Sequence, residues 1–443
     1  MKRLALILAC LMLTGLMAGA QEFPHIQGDT VSLDQYGGVG DGITLNTDAF
    51  ERAIKALEKK GGGTLMVPKG LFLTGPIVLK DNINLHLVKG AVILFSPDKA
   101  DFLVDGKVKP CISASKRHDV CISGDGIIDG NGEWWRAVKR GKVSDVEWSD
   151  YRRMGGTVTE DGSLWYPFGL NHFADIADDY RTQEKMRTHL VRFTDCERVA
   201  VMGVTLQNSP KFHLVPQRCK DVYIDGITVR CPWNAQNGDG IDIMSCEDVL
   251  VRNCTVDVGD DGICLKAGGG AKGVEDGPCK NIVIENNTVF RAHGGFVIGS
   301  EFSGGMQDIV VRNNVFIGTD TGLRFKSAPE RGGKCSNIHI HHILMSDIRG
   351  EAIVFETSYA NRSAGYEDAV AAQTQNFLPE FSNISIDNVV CRDCRTAVRA
   401  SGTLGTIHDI SLLYSSFFYT ENDLELDDPA MISFTGCRFV TYQ

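Results

Sequence analysis

The stretch NGDGIDIMSCEDVLVRNCTVDVGDDGICLK, residues 237–266, decides the fold. It begins with an acidic site at Asp239 and ends with an adjacent acidic pair, Asp260 and Asp261. Between them, the segment EDVLVRNCTVDV largely alternates apolar and polar residues, which is the period of a strand rather than of a helix. The two acidic sites are therefore separated by about one lap of a repeating β-structure, provided that the rest of the chain carries the same repeat.

The repeat is present along most of the chain. Its unit is a polar residue, frequently Asp or Asn, followed by an apolar-x-apolar triplet and then by a second short β-run and turn residues. The copies are DNINL at Asp81, HDVCI at His118, ERVAV at Glu197, KDVYI at Lys220, EDVLV at Glu247, KNIVI at Lys280, QDIVV at Gln307, SNIHI at Ser336, SNISI at Ser382 and HDISL at His408. From Glu197 onward they lie mostly about 23–33 residues apart, which is within the range typical of solenoids.

This repeat predicts an all-β fold, a right-handed parallel β-helix. No regular helix interrupts the copies, which disfavours leucine-rich and other helical repeats. Propeller blades would need four strands per repeat and a longer period. An ordinary β-sandwich does not account for so many equally spaced apolar triplets.

Two segments depart from the repeat. Near the start, Thr47 is a predicted N-cap for a helix with Phe50, Ile54 and Leu57 on one face, and this helix would cap the first coil of the solenoid. Residues 130–186 contain four of the five tryptophans and several other aromatic residues. Two interpretations of this insertion remain open: it packs on the flank of the β-helix, or it forms one wall of a sugar-binding cleft, since aromatic faces stack on sugar rings.

The first twenty residues are predicted to be a signal peptide. Lys2 and Arg3 precede a short apolar run, and small residues lead to a cleavage site after Ala20, so we expect a secreted or periplasmic protein. Residues 21–443 then form a single β-helix catalytic domain, which we expect to be monomeric. The formal net charge of −11 argues against nucleic acid and anionic membrane as partners.

The cysteines give little information about function. Of the fourteen, Cys10 belongs to the leader, and thirteen remain scattered along the strands. Most fit the role of small buried apolar residues. Cys391 and Cys394 form a single C-x-x-C without a second pair, which is weak evidence for zinc. Some disulfides are possible in an oxidising compartment, without an assignable pairing.

Acidic, basic and imidazole side chains converge if the coils stack about 4.8 Å apart. Counting from the triplets, successive coils contribute Asp239, then Asp260 with Asp261, then His293, then Arg324 with Lys326. Two carboxyl groups are what glycoside hydrolysis requires, one to protonate the leaving oxygen and one to activate water, and close carboxylates shift each other's pKa values apart. The paired cations suit a substrate carboxylate. Each motif alone would fit a turn or a solvated surface; the order across four coils favours a site.

Four motifs in this region resemble those of glycoside hydrolase family 28, the polygalacturonase-like pectinases. The segments NGDGID (237–242), GDDGIC (259–264), AHG (292–294) and RFK (324–326) are similar to the family forms NTDGxD, GDD, GHG and RIK. The resemblance covers most of the mature chain, including GDGIIDGNGEWW (124–135) and NSPKFH (208–213). Gly238, Ala292 and Phe325 depart from the family forms, and none of these changes removes a charged group.

The resemblance implies a role for each site residue. Asp260 would be the general acid of an inverting hydrolase, with Asp239 and Asp261 holding and activating the water. His293 would support the acid, Arg324 and Lys326 would grip a uronate carboxylate, and Asn237 would orient its neighbours. The implied substrate is a pectic polysaccharide or oligogalacturonide, cleaved without a metal or cofactor. The bacterial members with a GDGIIDGxGxxWW-like segment point to exo-attack at the non-reducing end.

Two other functions remain open from the sequence. A polysaccharide lyase of this architecture would need a calcium cluster, which His293 and the two cations would repel. A non-catalytic carbohydrate-binding β-helix would keep the motif set as a relic. Tyr359 lies close enough in the repeat to reach a sugar, although packing accounts for it as well, and the irregular stretches 267–279 and 359–381 could add to the wall of the cleft.

Overall fold

The chain forms a right-handed parallel β-helix, which confirms the predicted fold. The computed structural model describes residues 22–167, 186–359, 377–402, 405–429 and 431–441. The predicted signal peptide, residues 1–20, lies outside this range. Within it, no helix is both long and apolar enough to cross a membrane.

Three parallel sheets wind around the core. Sheet 1 consists of the strands Asp29–Ser32, Gly63–Val67, Ile83–Leu87, His118–Gly124, Glu197–Met202, Lys220–Asp225, Glu247–Arg252, Cys279–Glu285, Met306–Arg312, Ile407–Leu413 and Ile432–Thr435. Sheet 2 consists of Gly70–Thr74, Ala91–Phe95, Ile127–Asp129, Thr205–Gln207, Thr228–Arg230, Thr255–Asp257, Thr288–Phe290, Val315–Ile317 and Arg438–Thr441. Sheet 3 consists of Ile77–Val78, Ile112–Ser115, Val191–Thr194, Leu214–Gln217, Ile241–Met244, Ile263–Lys266, Phe296–Ile298, Leu323–Lys326 and Glu351–Glu356. Three long strands, Lys334–Ser346, Glu380–Ser401 and Ser416–Leu426, bend across corners and belong to more than one sheet.

The Asp or Asn found in most of the repeats has a conformational cause. Asp248, Asn281 and Asp308 occupy the same corner of successive coils, and all have φ between 54 and 59°. Asp and Asn tolerate this left-handed conformation better than other non-glycine residues. The apolar triplets that follow pair in register, for example Val249 with Ile282, and point into a continuous core.

Helix α1, Thr47–Glu58, covers the first coils as predicted. Its buried face consists of Ala49, Phe50, Ala53, Ile54 and Leu57. The predicted N-cap is wrong by one residue, because the cap position belongs to Asn46. Thr47 Oγ1 instead accepts a hydrogen bond of 2.8 Å from the backbone of Gly75, which ties the helix to the first coils.

The aromatic insertion has more regular structure than the sequence indicated. Its described part contains helix α2, Asp145–Arg153, and a three-stranded antiparallel sheet of Val138–Lys139, Leu164–Tyr166 and Thr157–Val158. Trp135 is buried and packs edge-on against Phe102 at 5.1 Å, which fits the packing interpretation. Phe168 and Tyr180 lie outside the described residues.

Two further sequence expectations need correction. The stretch 267–279 is not wholly irregular, because it contains the short helix α3, Gly270–Asp276. All thirteen described cysteines are free, so the possible disulfides are absent from the described part of the chain. Most of these thiols are buried among apolar side chains, as the small-hydrophobe interpretation predicts.

The remaining elements are short. Among the described residues, the 3-10 helices are Leu33–Tyr36, Lys99–Phe102, Gly132–Trp134 and Arg140–Lys142. An antiparallel hairpin pairs Leu103–Val104 with Lys107–Val108.

Candidate active site

The candidate site lies on the turns that connect sheet 2 to sheet 3 and on the outer face of sheet 3. In each sheet-3 strand the apolar residues point inward, as Leu323 and Phe325 do, and the alternate residues point outward. Arg324 and Lys326 are therefore on the outer face of their strand. The acidic residues lie in the turns just before the sheet-3 strands.

Strand register refines the predicted single column. Ile241 pairs with Ile263, so Asp239 and Asp261, each two residues earlier, are aligned on neighbouring coils. Ile263 pairs with Phe296, and this register aligns Asp260 with His293. Arg324 aligns with neither column, because it pairs with Val297 inside sheet 3. The predicted residues thus come together as two short columns flanked by a pair of cations.

Three donors surround the carboxylate of Asp260. The backbone N–H groups of Asn237 and Asp261 donate to it at 3.0 and 3.1 Å, and His293 Nδ1 lies 3.1 Å from Oδ1. Burial alone would raise the pKa of Asp260, but the hydrogen bond and charge of His293, with Lys326 and Lys142 nearby, outweigh burial and lower it. Without substrate, Asp260 is therefore ionised.

Asp261 is buried and paired with both predicted cations. Lys326 Nζ lies 2.7 Å from its Oδ2, and Arg324 Nη1 lies 3.6 Å from its Oδ1. Burial would raise the pKa of Asp261, but the charge of Lys326 outweighs it, so the pKa is lowered. The ring of Tyr359 lies 5.4 Å from Arg324 and 5.3 Å from Lys326, so it packs against both cations.

Asp239 shares a nearly buried lysine with a carboxylate that the sequence analysis did not single out. Lys266 Nζ bonds Oδ2 of Asp239 at 3.0 Å and Oδ1 of Asp242 at 2.8 Å. Burial, only partly offset by Lys266, raises the pKa values of Asp239 and Asp242. Asp242 lies within the NGDGID motif, and Lys266 lies two residues beyond GDDGIC. Both residues alternate with apolar residues that point into the core, and this alternation is the sequence signal that identifies them as neighbours on the outer face.

His213 was also missed, although it ends the quoted segment NSPKFH. It is fully buried, its Nδ1 donates to the backbone oxygen of Asp239 at 2.8 Å, and its Nε2 accepts from the backbone N–H of Ser209 at 3.2 Å. Burial lowers the pKa of His213 to about 4, so the imidazole is neutral near neutral pH. His213 therefore positions the turn that carries Asp239.

Asn237 lies in the site through its backbone and its side chain. Its N–H donates to Asp260, and its Oδ1 accepts a hydrogen bond of 2.8 Å from Arg187 Nη2. Arg187 is buried and also donates to the backbone oxygens of Pro210 and Gln236. The guanidinium thus holds the turn from which Asn237 contacts the acid.

The aromatic insertion contributes a cation to the same patch. Lys142 Nζ lies 3.3 Å from the backbone oxygen of Gly259 and 3.5 Å from His293 Nε2. Burial lowers the pKa of Lys142, and Asp260 partly opposes that effect. Lys142 lies over a hundred residues before its contacts and outside every repeat, so no sequence signal identified it.

A metal ion is poorly suited to this arrangement. Ligand atoms of Asp260, Asp261 and His293 lie within 4.8 Å of one another, which is close enough for a shared ion. However, the Lys326 ammonium already bonds Asp261 at 2.7 Å, and His293 Nδ1 faces Asp260. A divalent cation would have to displace or repel these groups.

The geometry can perform acid–base chemistry on an anionic ligand. Oδ1 of Asp239 and Oδ1 of Asp261 are buried and accept no hydrogen bond from a described residue. The two residues are aligned on adjacent coils, and Arg324 Nη1 lies 3.6 Å from Oδ1 of Asp261. Arg324, Lys326 and Lys142 supply the positive charge for an acidic ligand.

A family model and a named relative both place the chain in the same protein family. The model of the glycosyl hydrolases family 28 matches residues 153–418. The exo-poly-alpha-D-galacturonosidase of Dickeya chrysanthemi is 28% identical over 420 residues, which cover 91% of this chain and 68% of that protein.

Solved structures agree in fold. A hyperthermoactive exopolygalacturonase from Thermotoga maritima is 30% identical with a TM-score of 0.73, and the match covers 94% of each chain. A polygalacturonase from Erwinia carotovora superposes with a TM-score of 0.65 at 20% identity, covering 95% of this chain and 96% of that one. Because the identity is only 20%, the similarity to the Erwinia carotovora structure concerns the fold alone.

Proposed function

Because the chain belongs to the glycosyl hydrolases family 28, we propose that it is an inverting exo-hydrolase that releases galacturonate from the non-reducing end of pectic polymers or oligomers. The observation that carries this proposal is the joint arrangement of Asp260 and Asp261. One carboxylate contacts an imidazole, and the other contacts the two cations of the outer face. Hydrolysis of a bond between uronates needs both an acid and a site for negative charge.

In this proposal Asp260 protonates the leaving oxygen. It is ionised without substrate, so its pKa must rise in the complex before it can donate. A bound uronate carboxylate provides the means, because it neutralises part of the positive charge of Lys326 and Lys142 that holds Asp260 ionised. His293, through Nδ1, keeps the carboxyl oriented during this change.

The attacking water is held by Asp239 and Asp261. The support for this role in a water-mediated, single-displacement reaction is that the two residues are aligned on neighbouring coils and that neither Oδ1 atom accepts a hydrogen bond from a described residue. Ligand atoms of Asp260 and Asp261 lie within 4.8 Å of one another, so the gap of roughly 6.5–9.5 Å that an inverting enzyme needs for its water has to come from Asp239 on the preceding coil. Arg324 and Lys326 bind the carboxylate of the adjacent sugar.

Exo-attack is supported by the insertion and by two relatives. Lys142 contacts the turn of Asp260, and Tyr151 Oη accepts from Asn234 Nδ2 at 3.4 Å, so the described insertion lies against the acidic turns. Such an element can close one end of a cleft. The relative from Dickeya chrysanthemi and the structure from Thermotoga maritima are both exo-acting by name.

Export and monomeric state complete the proposal. Export rests on the leader before Gln21 and on the polymeric nature of pectin, which is met outside the cell, and the monomeric state is carried over from the sequence as an expectation.

Two measurements test the reaction. Incubation with homogalacturonan, rhamnogalacturonan and methyl-esterified pectin should give reducing ends fastest with unesterified homogalacturonan. Proton NMR of the first product should show the β-anomer from the α-linked polymer, as inversion requires. An initial α-anomer would contradict the single-displacement mechanism, and an unsaturated product absorbing in the ultraviolet would indicate a lyase instead.

A further inference from the structure

Lys142 differs from the other cations of the site because it has no acidic partner. Lys266 bonds Asp239 and Asp242, whereas Lys326 and Arg324 share Asp261. In the part of the chain that the structure describes, no carboxylate lies within ion-pair distance of the Lys142 ammonium. Its two polar contacts are a carbonyl oxygen and an imidazole nitrogen, neither of which carries a negative charge.

The insertion holds this ammonium in a defined place. Lys142 ends a 3-10 turn, Arg140–Lys142, whose first residue donates its backbone N–H to Ser163 at 2.8 Å. Arg140 also donates to the backbone oxygen of Val143 at 2.9 Å. Ser144 then starts helix α2 with a complete capping box. Structure on both sides therefore fixes the backbone of Lys142, and less entropy is lost when its side chain binds a ligand.

Lys142 and the predicted cations contact different neighbours of Asp260. Lys142 contacts the backbone oxygen of Gly259, the residue before Asp260. Arg324 and Lys326 lie beyond Asp261, on the outer face of sheet 3. A glycosidic bond at Asp260 would thus have one sugar on each side, and each galacturonate carries one carboxylate.

We propose that Lys142 binds the carboxylate of the galacturonate on the non-reducing side of the cleaved bond, while Arg324 and Lys326 bind that of the sugar on the other side. This inference rests on the proposed function, and it makes the insertion a determinant of substrate specificity. The non-reducing side is assigned to Lys142 because the insertion is the element that closes the cleft for exo-attack. A half-buried ammonium without an acid gains most from an incoming anion.

A purely positioning role would give a different signature. When the imidazole is neutral, Lys142 Nζ can donate to His293 Nε2, which leaves the single ring proton on Nδ1, facing Asp260. Loss of that contact would weaken catalysis on every substrate alike. Recognition of a carboxylate instead makes the loss depend on which sugar is charged.

The test compares Lys142→Met with Lys139→Met from the same insertion, whose side chain is exposed. Three disaccharides serve as substrates: digalacturonate, its methyl ester on the non-reducing unit only, and its methyl ester on the reducing unit only. We expect K142M to lower kcat/KM about 10- to 100-fold on digalacturonate and on the reducing-unit ester, mainly through KM. On the non-reducing-unit ester the loss should be under about threefold, and K139M should match the wild type throughout.

Three results would overturn the inference. If K142M loses kcat/KM equally on all three substrates, Lys142 is a positioning residue for His293. If K142M loses no kcat/KM on any substrate, Lys142 does not belong to the site. A loss that disappears on the reducing-unit ester would reverse the assignment of sides. If K142M unfolds at a lower temperature than the wild type, Lys142→Gln carries the same expectations. If the wild type is inactive on digalacturonate, the proposed function itself fails. The three results above leave the proposed function intact and overturn only the role of Lys142.

Discussion

Replacement of Lys266 by methionine should destabilise the fold strongly near neutral pH. The ammonium bonds two carboxylates, Asp239 and Asp242, and all three side chains are buried or nearly so. Methionine fills a similar volume without charge. The variant would keep two buried acids, each with one oxygen already unpartnered in the wild type.

The size of the effect follows from these contacts. Two charge-assisted hydrogen bonds are lost, and removal of one partner from a buried ion pair costs about 3–5 kcal/mol. Burial already raises the pKa values of Asp239 and Asp242, and loss of Lys266 raises them further. A raised carboxyl pKa in the folded state destabilises the fold above that pKa, and protonation relieves the penalty as the pH falls toward the unfolded value. The loss in free energy of unfolding caused by K266M should therefore become smaller as the pH falls.

Urea denaturation at about pH 7.5 and about pH 5 measures this change. Lys220→Met is the matched control, because Lys220 is exposed and lies 3.9 Å from Asp248, so its loss should cost less than about 1 kcal/mol. The double variant K266M with Asp242→Asn should recover part of the stability, since one buried charge is removed. The reasoning would be refuted if K266M lost no more stability than K220M, or if the loss caused by K266M became larger at lower pH.

Three further predictions concern activity. Asp260→Asn should lower hydrolysis at least about 100-fold with an unchanged circular dichroism spectrum, since an amide cannot give the leaving oxygen a proton; near-wild-type turnover would sink the acid assignment. Lys326→Met should raise KM for oligogalacturonate at least about tenfold and narrow the preference for free acid over methyl ester, and equal wild-type activity on both forms would contradict the charge argument. His213→Phe should lower kcat and cost about 1–3 kcal/mol in urea, because the buried backbone N–H of Ser209 loses its acceptor, whereas the backbone oxygen of Asp239 keeps the hydrogen bond from the backbone N–H of residue 213. Its pH–rate profile should keep the wild-type limbs, because the pKa of His213 near 4 leaves the imidazole neutral; a shifted limb would assign His213 a titrating role.

The sequence predicted the fold because each level of its pattern agrees with the others. The residue before each triplet, which is Asp or Asn in every copy except ERVAV, adopts a left-handed corner, as at Asn281, and the triplet itself supplies the inward side chains. The convergence of Asp239, Asp260 and His293 followed from counting coils. The division into two columns did not, because it depends on a register of single residues that periodicity cannot resolve.

The residues that escaped prediction have distant partners. Lys142 reaches the site from an insertion whose path no repeat specifies, and Arg187 binds the Asn237 turn across fifty residues. Lys266 lies in the quoted stretch, but an outward lysine on a strand usually faces water. Only the stacking of the next coils shows that it is buried between two acids.

The most direct test of the account is time-resolved product analysis on long, unesterified polygalacturonate. The proposed reaction releases monomeric galacturonate from the first minutes, with slow loss of viscosity, because each event shortens one end of a chain. Early mixed oligomers with a rapid fall in viscosity would contradict exo-attack, and no soluble uronate at all would contradict the proposed substrate.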